Sequence, residues 1–438
     1  MVSARLTKPV VLAAVLLFAL AGCAMRPSAA PDAAWRGATP STSSVPAVST
    51  CVGDPAAVVS RTADLPATAM PSDLTTTIDT AAEKGFAQAA APGAIVAVQS
   101  PKGLFVKAYG VADPSTTTPM TTNLYQRVGS ITKTFTVTLI MQLAAAGKLS
   151  LDDPISKYVD GVKGGDKITI RMLADMTSGV SSYTLDDAWQ KVYFEEHYKV
   201  WTPDDLLKIG LALKPQPFAP GTEFDYSNTN TILLGEVIEK VSGESYQQAL
   251  GTLILTPLGM SHTIYPAGSA AFPDPHAQGF TLQGGQGTPE NPANTTDWNP
   301  SWGGAAGELI SNVTDLLRFG RAEATGAGLL PKAMQIERLQ SFREFNGPGN
   351  GGYGLGWGCQ NGWVGHAGEL PGYNTSMFYS TSDDTTVITM TNSDIPSGKC
   401  EARTLTDNPT DLVCSSPATR IFTSIAEALG TPFAPQKK

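Results

Sequence analysis

The chain has 438 residues and a formal net charge of −9, with 42 % hydrophobic and 16 % charged residues, so it can bury the core of one large domain or of two smaller ones. The acidic balance, without any basic cluster, argues against a nucleic-acid partner. The four histidines show no metal-ligand spacing and there is no Cys-x-x-Cys pair, so the sequence predicts neither a metal site nor a cofactor.

The N-terminus has the pattern of an export signal. Two basic residues precede an apolar run over residues 10–20, which is too short to span a bilayer comfortably. The run ends in Leu-Ala-Gly followed by Cys23, which resembles the lipobox of bacterial lipoproteins; an ordinary secretory cleavage beside an incidental cysteine is the alternative. We therefore expect residues 1–22 to be removed and Cys23 to be lipidated. The protein would then be exported and anchored to the outer face of the cell membrane.

The next segment, residues 23–70, is rich in Ala, Ser, Thr and Pro and has almost no bulky apolar residues. Such a composition cannot offset chain entropy by burial, so it predicts a flexible tether, in which Cys51 is the one sign of local anchoring. Four cysteines remain besides Cys23. An even number in an exported protein predicts two disulfides, with three possible connectivities.

Ordered structure is predicted from residue 71 onward. A helix over 74–90 precedes a hairpin of two strands, 94–98 and 104–109. A helix that carries Ser130 on its first turn then runs to Ala146 and opens a long helical region. Its further helices are predicted over 169–176, from 202 onward, over 230–241 and over 246–256.

The second half begins with an irregular segment, residues 272–300, rich in Pro, Gly and Asn and expected to wall a site rather than fill a core. The elements predicted after it are a helix over 305–321, short meander strands over 353–357, 362–366, 375–379 and 386–390, and a last helix over 417–429. The fold class is therefore α+β. Both chain ends (71–115 and 305–435) would build one antiparallel sheet flanked by helices, with an all-helical part, 116–304, inserted between them.

A serine and a lysine three residues apart open the first long helix. Ser130 and Lys133 would share one helix face, so a hydroxyl, an amine and the positive end of a helix dipole come together. An amine whose pKa is lowered by burial can take the hydroxyl proton and activate the serine as a nucleophile. Taken alone, the pair is better explained by chance. The Gly-x-Ser-x-Gly pentapeptide of common serine hydrolases is absent.

Two further segments carry side chains suited to the same chemistry. Tyr226 and Asn228 lie two residues apart on a predicted extended loop, where the phenol can shuttle a proton and the amide can hold a carbonyl. His366 lies on a predicted strand two residues before Gly368, which lets a substrate approach the backbone closely. Each also has an ordinary structural explanation: a packed tyrosine, a turn asparagine and a satisfied strand histidine.

Ser-x-x-Lys, then Tyr-x-Asn, then His-x-Gly, in this order and at these separations, resemble the serine penicillin-binding protein and class C β-lactamase superfamily. The resemblance covers about residues 70–430. Other stretches that agree with it lie at 168–173, 177–179, 226–228, 234–239, 257–260 and 353–357.

The resemblance implies a β-lactamase/transpeptidase-like fold, with a sheet domain packed on an all-helical domain and the site at their junction. Ser130 would attack a carbonyl carbon and become acylated, and Lys133 and Tyr226 would manage its proton as a coupled pair. The oxyanion hole would be formed by the backbone N–H groups of Ser130 and Glu369.

The substrate-binding residues that the resemblance implies are Asn228 for the substrate amide, His366 where many relatives carry lysine, Gly368 and Glu369. Two positions depart from the family pattern. Ala367 stands where relatives that bind a free carboxylate often have Thr or Ser, and the missing hydroxyl is worth about 1 kcal/mol or more toward a charged acceptor. Glu369 also puts an anion beside the oxyanion site. Both features argue against a D-alanyl-D-alanine or β-lactam substrate.

The ordered motif set still predicts a cell-envelope serine hydrolase that forms an acyl-enzyme at Ser130 and resembles a D-alanyl-D-alanine carboxypeptidase or β-lactamase. Its substrate would be a small molecule or a peptidoglycan peptide, and it is expected to be a monomer. An esterase or amidase of the D-aminopeptidase type on the same scaffold is the first alternative, which Ala367 favours. A non-catalytic penicillin-binding lipoprotein is the second, and the intact Ser, Lys, Tyr and Asn set argues against it.

The meander suggests how the cysteines pair. Consecutive antiparallel strands alternate in direction, so Cys359 before the meander and Cys400 after three strands would lie at opposite ends of the sheet. Cys400 and Cys414 flank one loop and can pair locally. The favoured connectivity therefore leaves Cys51 for Cys359, which would pin the tether to the sheet.

Overall fold

The computed structural model describes residues 51–65, 67–344 and 351–433. The helices are α1 Pro55–Val58, α2 Ser72–Ala87, α3 Ile131–Ala145, α4 Ile170–Ala174, α5 Asp187–Glu195, α6 Pro203–Ala212, α7 Asn228–Ser242, α8 Tyr246–Leu250, α9 Gly304–Gly307, α10 Val313–Thr325, α11 Lys332–Leu339 and α12 Pro417–Ala428. The strands are β1 Gly93–Ser100, β2 Gly103–Asp113, β3 Thr118–Pro119, β4 Gln126–Arg127, β5 Phe280–Thr281, β6 Ala293–Asn294, β7 Ile310–Ser311, β8 Gly351–Tyr353, β9 Gly358–Gln360, β10 Trp363–Leu370, β11 Tyr373–Ser380 and β12 Thr385–Thr391.

Eight strands form one antiparallel sheet in the order β3-β2-β1-β12-β11-β10-β9-β8. The N-terminal hairpin joins the C-terminal meander where β1 pairs with β12, with Ala97 opposite Ile388. Both ends of the chain therefore build the sheet, which confirms the predicted α+β class. Short paired strands also occur outside it, β4 with β7 and β5 with β6.

Side chains alternate between two cores on the faces of the sheet, as the period of a strand requires. On one face, β1 residues such as Val96 pack with Ile78 of α2 and Phe422 of α12. On the other face, β1 residues such as Ile95 join a larger core that includes α3, α7 and α10. The sheet is thus covered on both faces, and the inserted helices extend the second core.

Helix α3 is the centre of that second core. Nearly all its side chains are buried, including its threonines, as expected for a helix that is not amphipathic. It packs against α7 and α9, and Phe135 stacks on Phe319 of α10 with ring centroids 3.5 Å apart. Its N-terminus reaches the edge of β10, where the helical part meets the sheet.

The predicted flexible tether is wrong over its last part. Residues 51–65 pack on the body of the protein: Val52 and Val58 are buried in a third apolar cluster with Trp357. Arg321 of α10 also donates a hydrogen bond to the carbonyl of Thr62. A few apolar residues, held by a disulfide, suffice to order a segment whose average composition predicts disorder.

Two predicted elements differ from the structure by more than the position of their ends. The helix predicted over 305–321 is two helices, α9 and α10, interrupted by β7, because Asn312 accepts the N–H of Asp315 and caps a new helix start. The strand predicted over 353–357 is a turn between β8 and β9. Gly356 there has φ of 81° and lies against Val137, and only glycine accommodates both demands.

Both disulfides follow the favoured connectivity. Cys51 is bonded to Cys359, and Cys400 to Cys414. Cys359 lies within β9, opposite Val364 of β10, so the first bridge fastens the N-terminal segment directly to the sheet.

The predicted signal peptide and Cys23 lie outside the described residues, and their processing stays a prediction. Within the ranges that are described, no helix has the length and apolar character to cross a membrane.

Candidate active site

Ser130 directly precedes α3 at its N-terminus, and Lys133 lies in the first turn of the helix. The Lys133 amine donates hydrogen bonds to Ser130 Oγ, at 2.9 Å, and to the carbonyl of Ala306 in α9, at 2.8 Å. The predicted shared helix face is therefore realised as a direct contact. The Ser130 residue is only 7 % exposed, so it is largely shielded from solvent.

The Lys133 amine is removed from water. Its residue is 1 % exposed, and burial lowers its pKa well below the ordinary lysine range. Its Nζ also lies 5.0 Å from the ring centroid of Tyr226. A neutral amine can accept the proton of Ser130, so the arrangement suits general-base activation of the hydroxyl.

His366 lies behind Tyr226, with ring centroids 6.2 Å apart. Its Nδ1 contacts the carbonyl of Ala367, and its Nε2 lies 3.2 Å from the hydroxyl of Tyr353. These partners suit a ring whose Nδ1–H donates and whose Nε2 accepts. Burial, and then the nearby Lys133, lower the pKa of His366 to about 3. The ring is therefore neutral at physiological pH and supplies no positive charge.

Asn228 is the first residue of α7 and follows Tyr226 closely along the chain. Its side-chain amide donates to the hydroxyl of Thr184, at 3.2 Å, and its backbone N–H donates to Ser182 Oγ, at 3.1 Å. The amide is thus oriented by the 182–184 segment, a connection that the sequence did not predict. Neither hydroxyl has a sequence signal beyond its residue type.

The edge of β10 lies directly against the start of α3. A Cβ atom at Gly129, where φ is 54°, would overlap the backbone nitrogen of Glu369. A Cβ at Gly368 would overlap the carbonyl oxygen of Val128. Strand β9 pairs with β10 only as far as Gly365, so β10 has no β9 partner over the residues that follow. The Glu369 backbone nitrogen thus lies against Gly129, the residue before Ser130, and the oxyanion hole itself stays a prediction.

The Glu369 carboxylate is held by the irregular segment, residues 272–300. Gln283 Nε2 donates to Glu369 Oε1, at 3.1 Å, and to Asp394 Oδ2, at 2.5 Å. Arg127 fastens the same segment by donating to the carbonyls of Thr296 and Trp298. Gln283 and Arg127 therefore tie residues 272–300 to the body of the protein, while a role of the segment as a site wall stays a prediction. Gln283 and Asp394 carried no motif that would have identified them.

The sequence of the chain matches a known protein family. The sequence profile of the beta-lactamase family matches residues 78–408. The chain belongs to the beta-lactamase family. PbpX of Bacillus subtilis (strain 168), which is named for penicillin binding, is 30 % identical over 267 residues, or 60 % of this chain and 61 % of that protein. This beta-lactamase-family chain thus matches about three fifths of that relative's length.

Two solved structures show the same fold. A D-stereospecific amidohydrolase from Streptomyces sp. is 33 % identical, with a TM-score of 0.66 over 73 % of this chain and 94 % of that one. The D-amino acid amidase of Ochrobactrum anthropi SV3, complexed with L-phenylalanine amide, is 23 % identical, with a TM-score of 0.68 over 82 % of this chain and 99 % of that one. The beta-lactamase-family fold of the chain is therefore shared with hydrolases as well as with penicillin-binding proteins.

The close approach of Gly129 to β10 gives a testable prediction. Gly129→Ala is expected to lower the free energy of unfolding by about 2–3 kcal/mol, because it adds left-handed backbone strain to a steric overlap. Gly147→Ala is a matched control: φ there is 69°, and a Cβ would meet nothing within 4 Å. Gly147→Ala should lower the free energy of unfolding only by the cost of the left-handed backbone, about 1 kcal/mol. Urea unfolding measures both, and equal losses would contradict the packing argument.

Proposed function

We propose that this protein is an exported serine hydrolase that forms an acyl-enzyme at Ser130 and cleaves amide or ester bonds of small D-configured substrates. The observation that carries the proposal is the buried Lys133 amine, held between Ser130 Oγ and the carbonyl of Ala306. Burial keeps that amine in a state that can accept a proton.

The proposed reaction has two halves. Ser130 Oγ attacks the substrate carbonyl carbon while its proton passes to the Lys133 amine, and the N–H groups of Ser130 and Glu369 stabilise the negative oxygen. The proton then moves, through Tyr226, to the leaving nitrogen or oxygen as its bond to carbon breaks. Water attacks the acyl carbon in the second half, which releases a carboxylic acid and restores the Ser130 hydroxyl.

The charges near Ser130 favour an amidase or esterase over a carboxypeptidase. A carboxypeptidase must bind the carboxylate of the residue that it releases. In this chain His366 is buried with a lowered pKa, and Ala367 offers no hydroxyl. Glu369 adds an anion at the same edge. The resemblance to a D-stereospecific amidohydrolase at 33 % identity supports the same choice.

A penicillin-reactive carboxypeptidase or β-lactamase is the second candidate. Similarity to PbpX, named for penicillin binding, favours it. Lipidation at Cys23 would in either case hold the domain near the cell envelope, where peptidoglycan peptides and their fragments occur.

One panel of substrates separates these functions. The full-length protein, Ser130→Ala and the control Ser156→Ala, whose serine is exposed, are incubated with a fluorescent penicillin, a nitrophenyl ester, D-alanine amide and a D-alanyl-D-alanine peptide. We expect ester and amide turnover that Ser130→Ala abolishes and Ser156→Ala retains. Persistent penicillin labelling with peptide turnover would favour the second candidate. The absence of any Ser130-dependent reaction would overturn the proposed function.

A further inference from the structure

We propose that Glu369, backed by Asp394, receives the α-ammonium group of a D-aminoacyl substrate and so makes the enzyme selective for substrates with a free amino group. The inference rests on the proposed function, because it assigns a substrate class to the same site. It concerns the Glu369 side chain, which is distinct from the backbone N–H that serves the oxyanion.

Glu369 lies near the position that the reacting carbon of the substrate would occupy. Its backbone nitrogen lies against Gly129, next to the Ser130 nucleophile. An acyl carbon bonded to Ser130 Oγ, with its oxygen hydrogen-bonded to that nitrogen, is therefore separated from the Glu369 carboxylate by no more than this hydrogen-bonded carbonyl and the Glu369 side chain. The α-ammonium group is two bonds from the acyl carbon. It is therefore the positively charged group of the substrate that would lie closest to the Glu369 carboxylate.

The carboxylate is fixed rather than free to turn away. Gln283 Nε2 holds Glu369 Oε1 at 3.1 Å, and the residue is only 6 % exposed. An acceptor whose orientation is already set loses little conformational entropy when a charged donor binds. Charge-assisted hydrogen bonds to such an acceptor are about twice as strong as neutral ones.

Asp394 adds to the negative potential at the Glu369 carboxylate. The same Gln283 nitrogen donates to Asp394 Oδ2, so one amide bridges two carboxylates. The other donors to Asp394 shown by the structure, the Gly372 N–H and the Thr281 hydroxyl, are neutral. Burial raises the pKa of Asp394 to about 6. A cation bound against these two carboxylates would offset the cost of holding two anions side by side in a buried position.

The test compares two chromogenic substrates that differ only at the amino group, D-alanine p-nitroanilide and N-acetyl-D-alanine p-nitroanilide. Steady-state kinetics at pH 7.5 give the ratio of kcat/KM for the free and the blocked substrate. We expect this ratio to exceed about ten in the wild-type protein and to fall about tenfold or more in Glu369→Gln, with partial recovery in Glu369→Asp. The control Glu290→Gln changes an exposed carboxylate of the same segment and should keep the wild-type ratio.

The possible outcomes distinguish a failure of the Glu369 inference from a failure of the proposed hydrolase function. A general loss of activity in Glu369→Gln lowers both rates and leaves their ratio near that of the wild type, which would overturn the inference. Equal use of both anilides by the wild type, or ester turnover with no reaction of either anilide, would also overturn it while the Ser130 chemistry stands. Only the loss of every Ser130-dependent reaction counts against the proposed function itself.

Discussion

Lys133→Met is expected to lower kcat/KM for any substrate of this enzyme by at least about 10³-fold. The Lys133 amine donates to Ser130 Oγ at 2.9 Å, and removal of the base that activates a serine costs an enzyme several orders of magnitude in rate. The measurement is steady-state hydrolysis of a nitrophenyl ester. Lys148→Met, at an exposed lysine beyond the end of α3, is the matched control and should retain full activity.

The Lys133→Arg variant tests whether Lys133 acts as a base or only as a fixed positive charge. Burial lowers the pKa of Lys133, so the neutral amine is populated at lower pH than in ordinary lysine. An arginine in its place cannot deprotonate, and we expect it to be as inactive as methionine. The pKa of His366, about 3, lies below the working range, so its ring does not set the acid limb of the pH profile. An active arginine variant would contradict the role of Lys133 as base.

The sequence predicted the parts of the site that depend on local spacing. A lysine three residues after a helical serine must share its face, and the contact between Lys133 and Ser130 follows from that alone. The hairpin, the meander and the Cys400–Cys414 disulfide were also predictable, because strand alternation and loop length are local properties. The Cys51–Cys359 disulfide spans 308 residues and was predicted only because it was the pair that remained.

The parts that were not predicted depend on residues far apart in the chain. Gln283 meets Asp394 across 111 residues, and neither has a neighbour that marks it. Tyr353 reaches His366 because the chain turns at Gly356, which pairs β8 with β9 and β9 in turn with β10. Such contacts arise from tertiary packing, and no periodicity in a single sequence encodes them.

Glu323→Ala is expected to lower the free energy of unfolding by about 3–5 kcal/mol, because it leaves a buried guanidinium without its counter-charge. Arg338 Nη2 donates to Glu323 Oε1 at 2.7 Å, with both side chains almost fully buried. The same guanidinium donates to Thr138 of α3 and to the carbonyl of Leu355. The pair thus ties α10 and α11 to the helix that carries Ser130. Urea unfolding, followed by circular dichroism, gives the shift in midpoint at constant slope.

Two controls decide whether the loss comes from the unpaired charge. Glu195→Ala removes the carboxylate of an exposed pair with Lys191, at 4.0 Å, and should cost no more than about 0.5 kcal/mol. Replacing both members of the buried pair, Glu323→Leu with Arg338→Met, removes both charges from the core and should be less destabilising than Glu323→Ala alone. If the double variant were the less stable of the two, the Arg338 hydrogen bonds to Thr138 and Leu355 would outweigh its charge, and the guanidinium would stabilise α3 without needing Glu323.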